Sequence, residues 1–511
     1  MNQQTIVVAT TSAAIGAAAI YSLQRWLRVK PFIPTLPLPV HLHRFFSGVG
    51  ESFSSVEATW RLMVDEADED GMCQFYLVGM PCVSVLRAPH VRTVLLASNY
   101  RRRSPFFDDF VDAFLGSKGL IQLQGHEWKI HRRLIAKAFQ WQNLVGMAPT
   151  MGAIADAFVD RVLLPRTMDT SIDIFPLIKL ATLDVLGATA FGTSFNAIDH
   201  SQSNPIVEAF TFLLDDMNRR AFDAPLDPAS SLYWLPTAAN REFHRHTLVL
   251  RTMIDRLVAS RLVQPDSETK DTPNDNRPHD LLQCLVDAAA ADASGAITPQ
   301  SFADNLLTFL FAGYDTTSIA LAYTLYALAT HPHIQAKAVA EIHAVLGTDT
   351  PSYDDAQRLV YCTAIVTESL RLYPPVLMTL RTLEAPLRLG RHDIPTGTSI
   401  FLPIDAIQRD CTNWGPDADA FRPERHLQDD DDIQDGMSAK DKAYRFVAFS
   451  GGPRNCVGMR FAMLEATILL AVFLRRCAFT RPDDAPPVIV APAGLVQKPQ
   501  HGIWLRVALR S

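Results

Sequence analysis

The sequence predicts a mainly α-helical fold with small β-sheets. Most of the chain after residue 40 has the apolar spacing of helices or is rich in good helix formers, strand-like runs are few and short, and one helical segment is unusually long. No internal repeat or second linker divides residues 41–511, so we expect one large domain there. The predicted helices cover residues 52–67, 87–98, 126–140, 150–163, 176–191, 205–219, 240–263, 278–290, 298–331, 333–346, 354–373 and 457–476.

The remaining segments are strand-like or polar. Short strand-like runs occur at 73–78, 82–86, 387–389, 398–402 and in the tail near 488–507. Two polar stretches, 264–280 and 427–442, are predicted to be solvated loops, the second with an aspartate run at 429–432.

The composition narrows the function classes. The chain has 511 residues, of which 48% are hydrophobic and 20% are charged, as in globular proteins. A formal net charge of -7 provides no general basic field, so we do not expect a nucleic acid partner. The seven cysteines are scattered and form no C-x-x-C pair. This pattern disfavours a disulfide framework or a zinc site and fits a reducing, cytosolic environment.

The N-terminal residues predict a membrane anchor. No charged side chain occurs from Thr5 to Gln24, a length that spans about 30 Å as a helix. Arg25, Arg28 and Lys30 follow, which places the body on the cytoplasmic side. A cleaved signal peptide ending near Ala19 is the alternative, although it would carry its basic residues at the other end. We therefore predict an anchor at 1–29 and a stiff hinge at 30–40, with prolines at 31, 34, 37 and 39.

The longest predicted helix combines clear ends with an unusual middle. Thr298 is a good N-cap, Pro299 suits the first turn and Pro332 follows the end. The helix is apolar nearly all round and should be buried, yet the stretch 312–317 contains a glycine and an aspartate. Both are unfavourable in a buried helix, which indicates a functional site. The structural alternative is that the threonines bond to backbone carbonyls and the aspartate pairs with an arginine.

A second candidate site is the cysteine loop near the C-terminus. Cys456 follows a Gly/Pro-rich loop and precedes an apolar helix predicted to begin near Val457. Free backbone N–H groups and a helix N-terminus favour a thiolate, the form that binds a soft metal. For a lone cysteine the ordinary interpretation is a small buried hydrophobe, which we apply to the other six.

These residues resemble the cytochrome P-450 family. Phe449–Gly458 matches the haem-binding signature F-x-x-G-x-R-x-C-x-G at every specified position, and Ala312–Thr317 matches the oxygen-activation motif A-G-x-D-T-T. The segment 421–425 resembles the P-E-R-F region, with His426 replacing the last aromatic residue. Two further pairs match family motifs: Glu368 and Arg371 (E-x-x-R), and Trp128 and Arg132 (W-x-x-x-R).

The resemblance implies a fold, a cofactor and roles for particular residues. In the cytochrome P-450 fold, haem b would lie between the long central helix and the cysteine-loop helix, with Cys456 as the axial ligand. Glu368, Arg371 and Arg425 would form a buried network that supports the cysteine loop. Arg132 could instead be a surface cation. The implied haem-binding residues are Trp128, Arg132, Ala312, Gly313, Arg381, Phe449, Arg454 and Gly458.

The implied activity is that of a monooxygenase. Thr316 would hydrogen-bond the oxygen that the haem activates, and Asp315 would relay protons. No nucleotide-binding or iron–sulfur motif is found. Electrons should therefore come from a separate NADPH–cytochrome reductase, with cytochrome b5 as a further candidate donor, on the endoplasmic reticulum membrane. Two alternatives remain: a haem-thiolate isomerase or dehydratase that acts on peroxides, and a non-enzymatic haem sensor or membrane scaffold.

The resemblance also implies where a substrate binds. The predicted lining is apolar and indicates a hydrophobic small molecule such as a fatty acid, terpenoid, sterol or polyketide, although core packing gives the same composition. The lining residues are Phe106, Phe107, Phe110 and Phe114, the helix at 205–215, the long helix before Gly313, Val376 to Leu380, and Leu495.

Overall fold

A computed structural model describes most of the chain. It covers residues 63–77, 80–97, 111–167, 169–199, 204–220, 235–262, 280–290, 297–427, 437–490 and 496–510, with positions 33, 35, 36 and 295. The predicted anchor at 1–29, most of the hinge and most of both polar stretches lie outside these residues, as do Phe106, Phe107, Phe110 and Leu495. Within the described ranges, no helix is both long enough and apolar enough to cross a membrane.

The mainly α-helical class with small sheets is confirmed. The helices are α1 (Ala88–Ala97), α2 (Gly125–Ala138), α3 (Trp141–Val145), α4 (Ala148–Phe158), α5 (Ile174–Ala190), α6 (Pro205–Asn218), α7 (Ala238–Leu262), α8 (Leu281–Ala290), α9 (Pro299–Thr330), α10 (Pro332–Leu346), α11 (Tyr353–Arg358), α12 (Val360–Leu372), α13 (Ile404–Arg409), α14 (Cys411–Trp414), α15 (Ala439–Lys442) and α16 (Met459–Arg476). The strands are β1 (Met72–Leu77), β2 (Met80–Val85), β3 (Ile172–Asp173), β4 (Met378–Thr382), β5 (Leu387–Leu389), β6 (His392–Ile394), β7 (Ser399–Pro403), β8 (Cys477–Thr480) and β9 (Trp504–Leu509). Short 3-10 turns include Pro423–His426 and Gly452–Arg454.

The chain divides into two compact units, and the first contains the larger sheet. It comprises the described parts of 1–102, 378–418 and 436–454. Its four strands have the order β1-β2-β7-β4, in which only β2 and β7 run parallel. Every residue of β7 is buried, as its apolar run predicts for a central strand. On β1, the buried Gln74 side chain binds the backbone of Ile33 and Leu36 through three hydrogen bonds of 2.6–3.0 Å.

The second unit is mostly helical and is built around α9. It comprises the described parts of 103–377, 419–435 and 455–511. The 32-residue α9 packs against α5, α7, α12 and α16. As predicted, Thr298 caps it and Pro299 occupies its first position; Ser301 completes a capping box with Thr298. A small antiparallel sheet in the order β3-β9-β8 completes this unit.

One predicted helix is wrong in extent. The segment predicted as a single helix at 354–373 is two helices, α11 and α12, separated by Leu359 with ψ 61°. A side chain of another helix stabilises the start of α12. The Glu341 carboxylate of α10 accepts hydrogen bonds from the backbone N–H groups of Tyr361 (2.6 Å) and Cys362 (2.8 Å). A break that is stabilised by a side chain of another helix leaves no local signal in the sequence.

Candidate active site

The middle of α9 presents one partly open face. Ala312, Gly313 and Thr316 are half-buried, whereas their neighbours Asp315 and Thr317 are buried. A Cβ atom at Gly313 would meet Leu186 Cδ1 of α5 at 3.1 Å, so the glycine allows α5 and α9 to pack closely. The Thr316 hydroxyl donates to the carbonyl of Ala312 at 2.6 Å, as the structural alternative predicts for a threonine in a helix.

Asp315 is paired with a lysine on α5. The Lys179 Nζ lies 2.7 Å from Asp315 Oδ1, and both side chains are buried. The contact is an ion pair rather than an aligned hydrogen bond, because neither carboxylate oxygen meets hydrogen-bond geometry. The ammonium also lies 4.7 Å from the centre of the Phe175 ring. The structural alternative anticipated an arginine partner; the cation is a lysine instead, so the charge of this buried acid is compensated within the second unit.

The predicted ligand Cys456 lies shortly before α16, which begins at Met459. Its thiol is exposed. Desolvation by neighbouring protein atoms raises the pKa of this thiol, while the Gly458 backbone N–H and the charge of Arg132 lower it. The backbone N–H acts in the direction expected from the sequence, but the net pKa lies above the ordinary value. Because a bound metal cation deprotonates a coordinating thiol outright, a ligand role does not require a low intrinsic pKa.

Trp128 and Arg132 both lie on α2, one helical turn apart. Trp128 is buried, and Arg132 is half-buried. The Arg132 guanidinium donates to Asn455 Oδ1 at 2.6 Å. Asn455 directly precedes Cys456, so Arg132 contacts the cysteine loop and is not a solvated surface cation.

The first unit contains the other part of the signature. Arg381 on β4 is buried, and its guanidinium donates to Thr379 Oγ1 and the Leu380 carbonyl at 2.8 Å and to Ser450 Oγ at 3.3 Å. Phe449 and Arg454 are half-buried. Gly452 has a φ of +65°, and a Cβ atom there would lie 2.4 Å from the Leu95 carbonyl oxygen. Glycine is therefore required at this position of the loop by both conformation and space.

Glu368 joins the arginines predicted to form a network with it. Arg371 donates to both carboxylate oxygens at 2.8 and 2.9 Å, and Arg425 donates to Oε1 at 2.8 Å. The Arg422 backbone N–H also donates to Oε1, at 2.9 Å. Burial alone would raise the pKa of Glu368, but the hydrogen bonds from Arg371 and His426 and the charges of the arginines hold it far below its usual range.

Two residues with specific contacts were not assigned roles from the sequence. His426 Nε2 lies 2.8 Å from Glu368 Oε2, so the histidine that departs from the family pattern is part of the network. The departure itself could have indicated this role. Glu465 on α16 is 1% exposed and is a hydrogen-bond neighbour of Thr317. Burial raises the pKa of Glu465 to about 8. It lies outside every motif identified above, so no local pattern indicated a role for it.

Comparison with known proteins identifies the family. The family model described as Cytochrome P450 matches residues 57–506. The chain belongs to the cytochrome P450 family. It is similar to Cytochrome P450 72A15 of Arabidopsis thaliana (31% identity, 76% of this chain and 72% of the relative). Cytochrome P450 72A552 of Barbarea vulgaris is 30% identical over 77% and 73%, and Cytochrome P450 4V2 of Mus musculus is 26% identical over 84% and 81%.

Membership makes the chain a haem-dependent monooxygenase oxidoreductase whose iron has a cysteine thiolate ligand. The residues of this P450 fit such a group. The open face of α9 carries only small side chains at Ala312 and Gly313, which leave room for a flat macrocycle, and the Cys456 thiol is exposed for ligation. Guanidinium groups are suited to the carboxylates that a haem carries, and Arg132 lies next to the cysteine loop.

Matched substitutions of two arginines, each three residues after an acid, test how much the buried network of Glu368 contributes to stability. Arg371 and Glu368 are fully buried, whereas in the pair Arg358 and Asp355, also three residues apart, the arginine is exposed and the aspartate is half-buried. We expect Arg371→Met to lower the free energy of unfolding by about 3–5 kcal/mol, because it leaves a carboxylate buried with fewer cations. Arg358→Met should change it by less than about 1 kcal/mol. Urea denaturation measures both, and similar losses would contradict the assigned importance of the network.

Proposed function

We propose that this P450 hydroxylates or epoxidises a hydrophobic small molecule. The reaction would use O2 and two electrons supplied by NADPH–cytochrome reductase. The proposed cofactor is haem b ligated by Cys456. The observation that carries the proposal is the half-open face of α9 with the Thr316 hydroxyl, which directly follows the buried, charge-compensated acid Asp315 in the chain. When bound, a thiolate-ligated haem supplies the oxygen-activating chemistry.

Thr316 and Asp315 are proposed to handle protons at this face. The Thr316 hydroxyl donates to the Ala312 carbonyl, so its oxygen lone pairs remain able to accept a hydrogen bond from the open side. Asp315 would supply the acidic group of the proton relay. Its ion pair with Lys179 would limit movement of the Asp315 side chain. This acid–hydroxyl pair also favours monooxygenation over peroxide isomerisation or dehydration, which needs no oxygen activation.

An aromatic cluster supports a hydrophobic substrate. The Phe114 ring lies 5.7 Å from Phe311 and 6.3 Å from Phe210, and Phe210 lies 5.3 Å from Tyr314. These rings come from three of the segments expected to line the pocket. Phe311 is half-buried and directly precedes the open face at Ala312. Such walls favour apolar ligands such as a fatty acid, terpenoid, sterol or polyketide.

The electron donor is proposed to dock near the cysteine loop. On α2, Lys129, Arg133 and Lys137 are exposed at intervals of four residues, while Arg132 binds Asn455. A basic stripe on a chain with a formal net charge of -7 would attract an acidic surface of a reductase or of cytochrome b5. Product formation by wild type and the Thr316 variant, measured with and without added reductase, tests whether this electron donor is required.

Replacing the proposed ligand tests the cofactor assignment. Cys456→Ser or Cys456→His should abolish the red-shifted ferrous–carbonyl band of thiolate-ligated haem. Cys411 is also exposed and provides a matched control, so Cys411→Ser should keep the band. Absorption spectra of the reduced, carbon monoxide-treated proteins measure the effect. Survival of the band in the Cys456 variants would disprove the assignment.

Removing the Thr316 hydroxyl should uncouple the reaction. We expect Thr316→Ala to bind haem and substrate, consume NADPH with added reductase, and form hydrogen peroxide while product falls by ~10²–10⁴-fold. Thr324 has the same bond to a carbonyl on α9, at 2.7 Å, so Thr324→Ala is the matched control and should remain coupled. Product and peroxide per NADPH are measured together.

A double variant separates the catalytic role of Asp315 from its structural role. Asp315→Asn should slow turnover, but it also leaves Lys179 buried without its partner. Asp315→Asn/Lys179→Met removes both charges and should restore stability without restoring the rate. Recovery of the rate in the double variant would show that Asp315 is structural only.

Deleting the predicted anchor tests the proposed location on the endoplasmic reticulum membrane. Removal of 1–29 should leave haem binding intact and move the protein to the soluble fraction. Removal of 1–40 also deletes the backbone groups that bind Gln74, so this variant should be less stable by about 1–3 kcal/mol. Fractionation and denaturation measure the two effects. A mature N-terminus near Ala19 would indicate a cleaved signal peptide instead.

A further inference from the structure

A cavity between α12 and α16 shares no lining residue with the open face of α9 or with the cysteine loop. Its volume is about 520 Å³, within the range of about 300–1,000 Å³ that is typical of sites for small molecules. Each of the two helices lines the cavity with residues at the spacing i, i+3, i+4 and i+7, which lie on one helical face. These residues are Val360, Thr363, Ala364 and Thr367 on α12, and Arg460, Met463, Leu464 and Thr467 on α16.

The lining of this cavity is apolar in its buried part and polar where it is exposed. Ala364 and Leu464, together with Ala356 of α11, are buried and form what we call the floor. Val360 and Arg460 are exposed and form what we call the mouth. A ligand that places an apolar body on the floor and a polar group at the mouth would therefore remove apolar surface from water and keep its polar end solvated.

The charge at the mouth comes from Arg460. None of the described residues that line the cavity is an aspartate or a glutamate. The Arg460 guanidinium forms no ion pair or hydrogen bond within the part of the chain that the structure describes. Glu368 of α12 is paired with Arg371, and Asp355 of α11 is paired with Arg358. A guanidinium without an acidic partner favours a carboxylate, to which it can donate two parallel hydrogen bonds.

We propose that this cavity is a second ligand site, which binds an amphipathic organic carboxylate. The carboxylate binds Arg460 at the mouth, and the apolar body of the ligand lies on the floor. Neither part suffices alone, because a small anion makes no contact with the floor and a neutral analogue loses the charge-assisted bond. His426 also lines the cavity, and its Nε2 atom lies 2.8 Å from Glu368 Oε2, so the ligand would lie next to the buried network that supports the cysteine loop.

The first test separates this site from the substrate pocket. Haem-loaded protein is saturated with clotrimazole, an azole that ligates the haem iron and so occupies the substrate side. Equilibrium dialysis against radiolabelled phenylbutyrate should then show one equivalent bound per haem, with the absorption spectrum of the azole complex unchanged. Absence of phenylbutyrate binding under these conditions would overturn the proposal. The measurement needs no turnover, so it does not depend on the proposed monooxygenase activity.

The second test uses substitutions at exposed positions, which should leave the fold intact. Arg460→Gln removes the charge and should weaken phenylbutyrate binding by about tenfold or more. Val360→Glu should also weaken it, because a negative charge at the mouth repels the carboxylate. Arg358 is an exposed arginine of α11 that does not line the cavity, so Arg358→Gln is the matched control and should bind as wild type does. Equal affinity of Arg460→Gln and wild type would overturn the assignment of Arg460.

The third test varies the ligand and the partner. Phenylbutyramide, the neutral analogue, should bind wild type about tenfold more weakly than phenylbutyrate. Acetate, which lacks the apolar body, should not displace phenylbutyrate at equal concentration. Equal binding of the amide and the carboxylate would show that the cavity does not recognise an anion and would overturn the proposal. If phenylbutyrate does not bind and Arg460→Gln instead weakens binding of the reductase, the cavity is a protein contact and the proposal is wrong.

Discussion

The second unit depends on the burial of α9. A helix of 32 residues that is buried over most of its length must satisfy its polar side chains inside the protein. The three polar residues in its middle use different partners: Asp315 pairs with Lys179 of α5, Thr316 bonds to its own helix, and Thr317 meets Glu465 of α16. Because an uncompensated buried charge is costly, the ion pair of Asp315 favours one position of α5 along α9.

Three of the buried acids of this unit, Glu368, Asp315 and Glu465, have different surroundings. Glu368 is surrounded by two guanidinium groups, a backbone N–H and an imidazole. Loss of any one partner would remove a hydrogen bond to the buried carboxylate, so the network is rigid. Asp315 depends on one ammonium. Burial raises the pKa of Glu465, which forms no ion pair within the described part of the chain. Burial acts to raise the pKa of both Glu368 and Glu465, but only Glu368 has cations around it that reverse the shift.

The sequence predicted what depends on local pattern or on the family motifs. The capped ends of α9, the helical class, and the proximity of Arg371 and Arg425 to Glu368 follow from such signals. The break at Leu359 did not, because Glu341 of another helix stabilises it. The short strand β8 was also missed, since its pairing with the distant β9 defines it. Partners supplied by distant segments have no spacing rule in the sequence.

The same reasoning explains why the sequence indicated a role for Asp315 but none for Lys179 or Glu465. Asp315 breaks a local rule, a charge in an apolar helix, at a recognisable motif. Lys179 and Glu465 are also charged residues in apolar helices, but they lie outside the recognised motifs, and only the packing of those helices on α9 brings them to its middle.

Steric and electrostatic requirements at the middle of α9 are coupled through α5. Leu186, which faces Gly313, and Lys179, which pairs with Asp315, both belong to that helix. A Cβ atom at Gly313 would lie 3.1 Å from Leu186 Cδ1, so a side chain there would require Leu186 to move by a few tenths of an ångström in a close-packed helix contact. Any displacement of α5 would also lengthen the 2.7 Å ion pair in a medium where charge separation is expensive. Gly313 and Asp315, the two unfavourable residues of this helix, therefore both face contacts with α5.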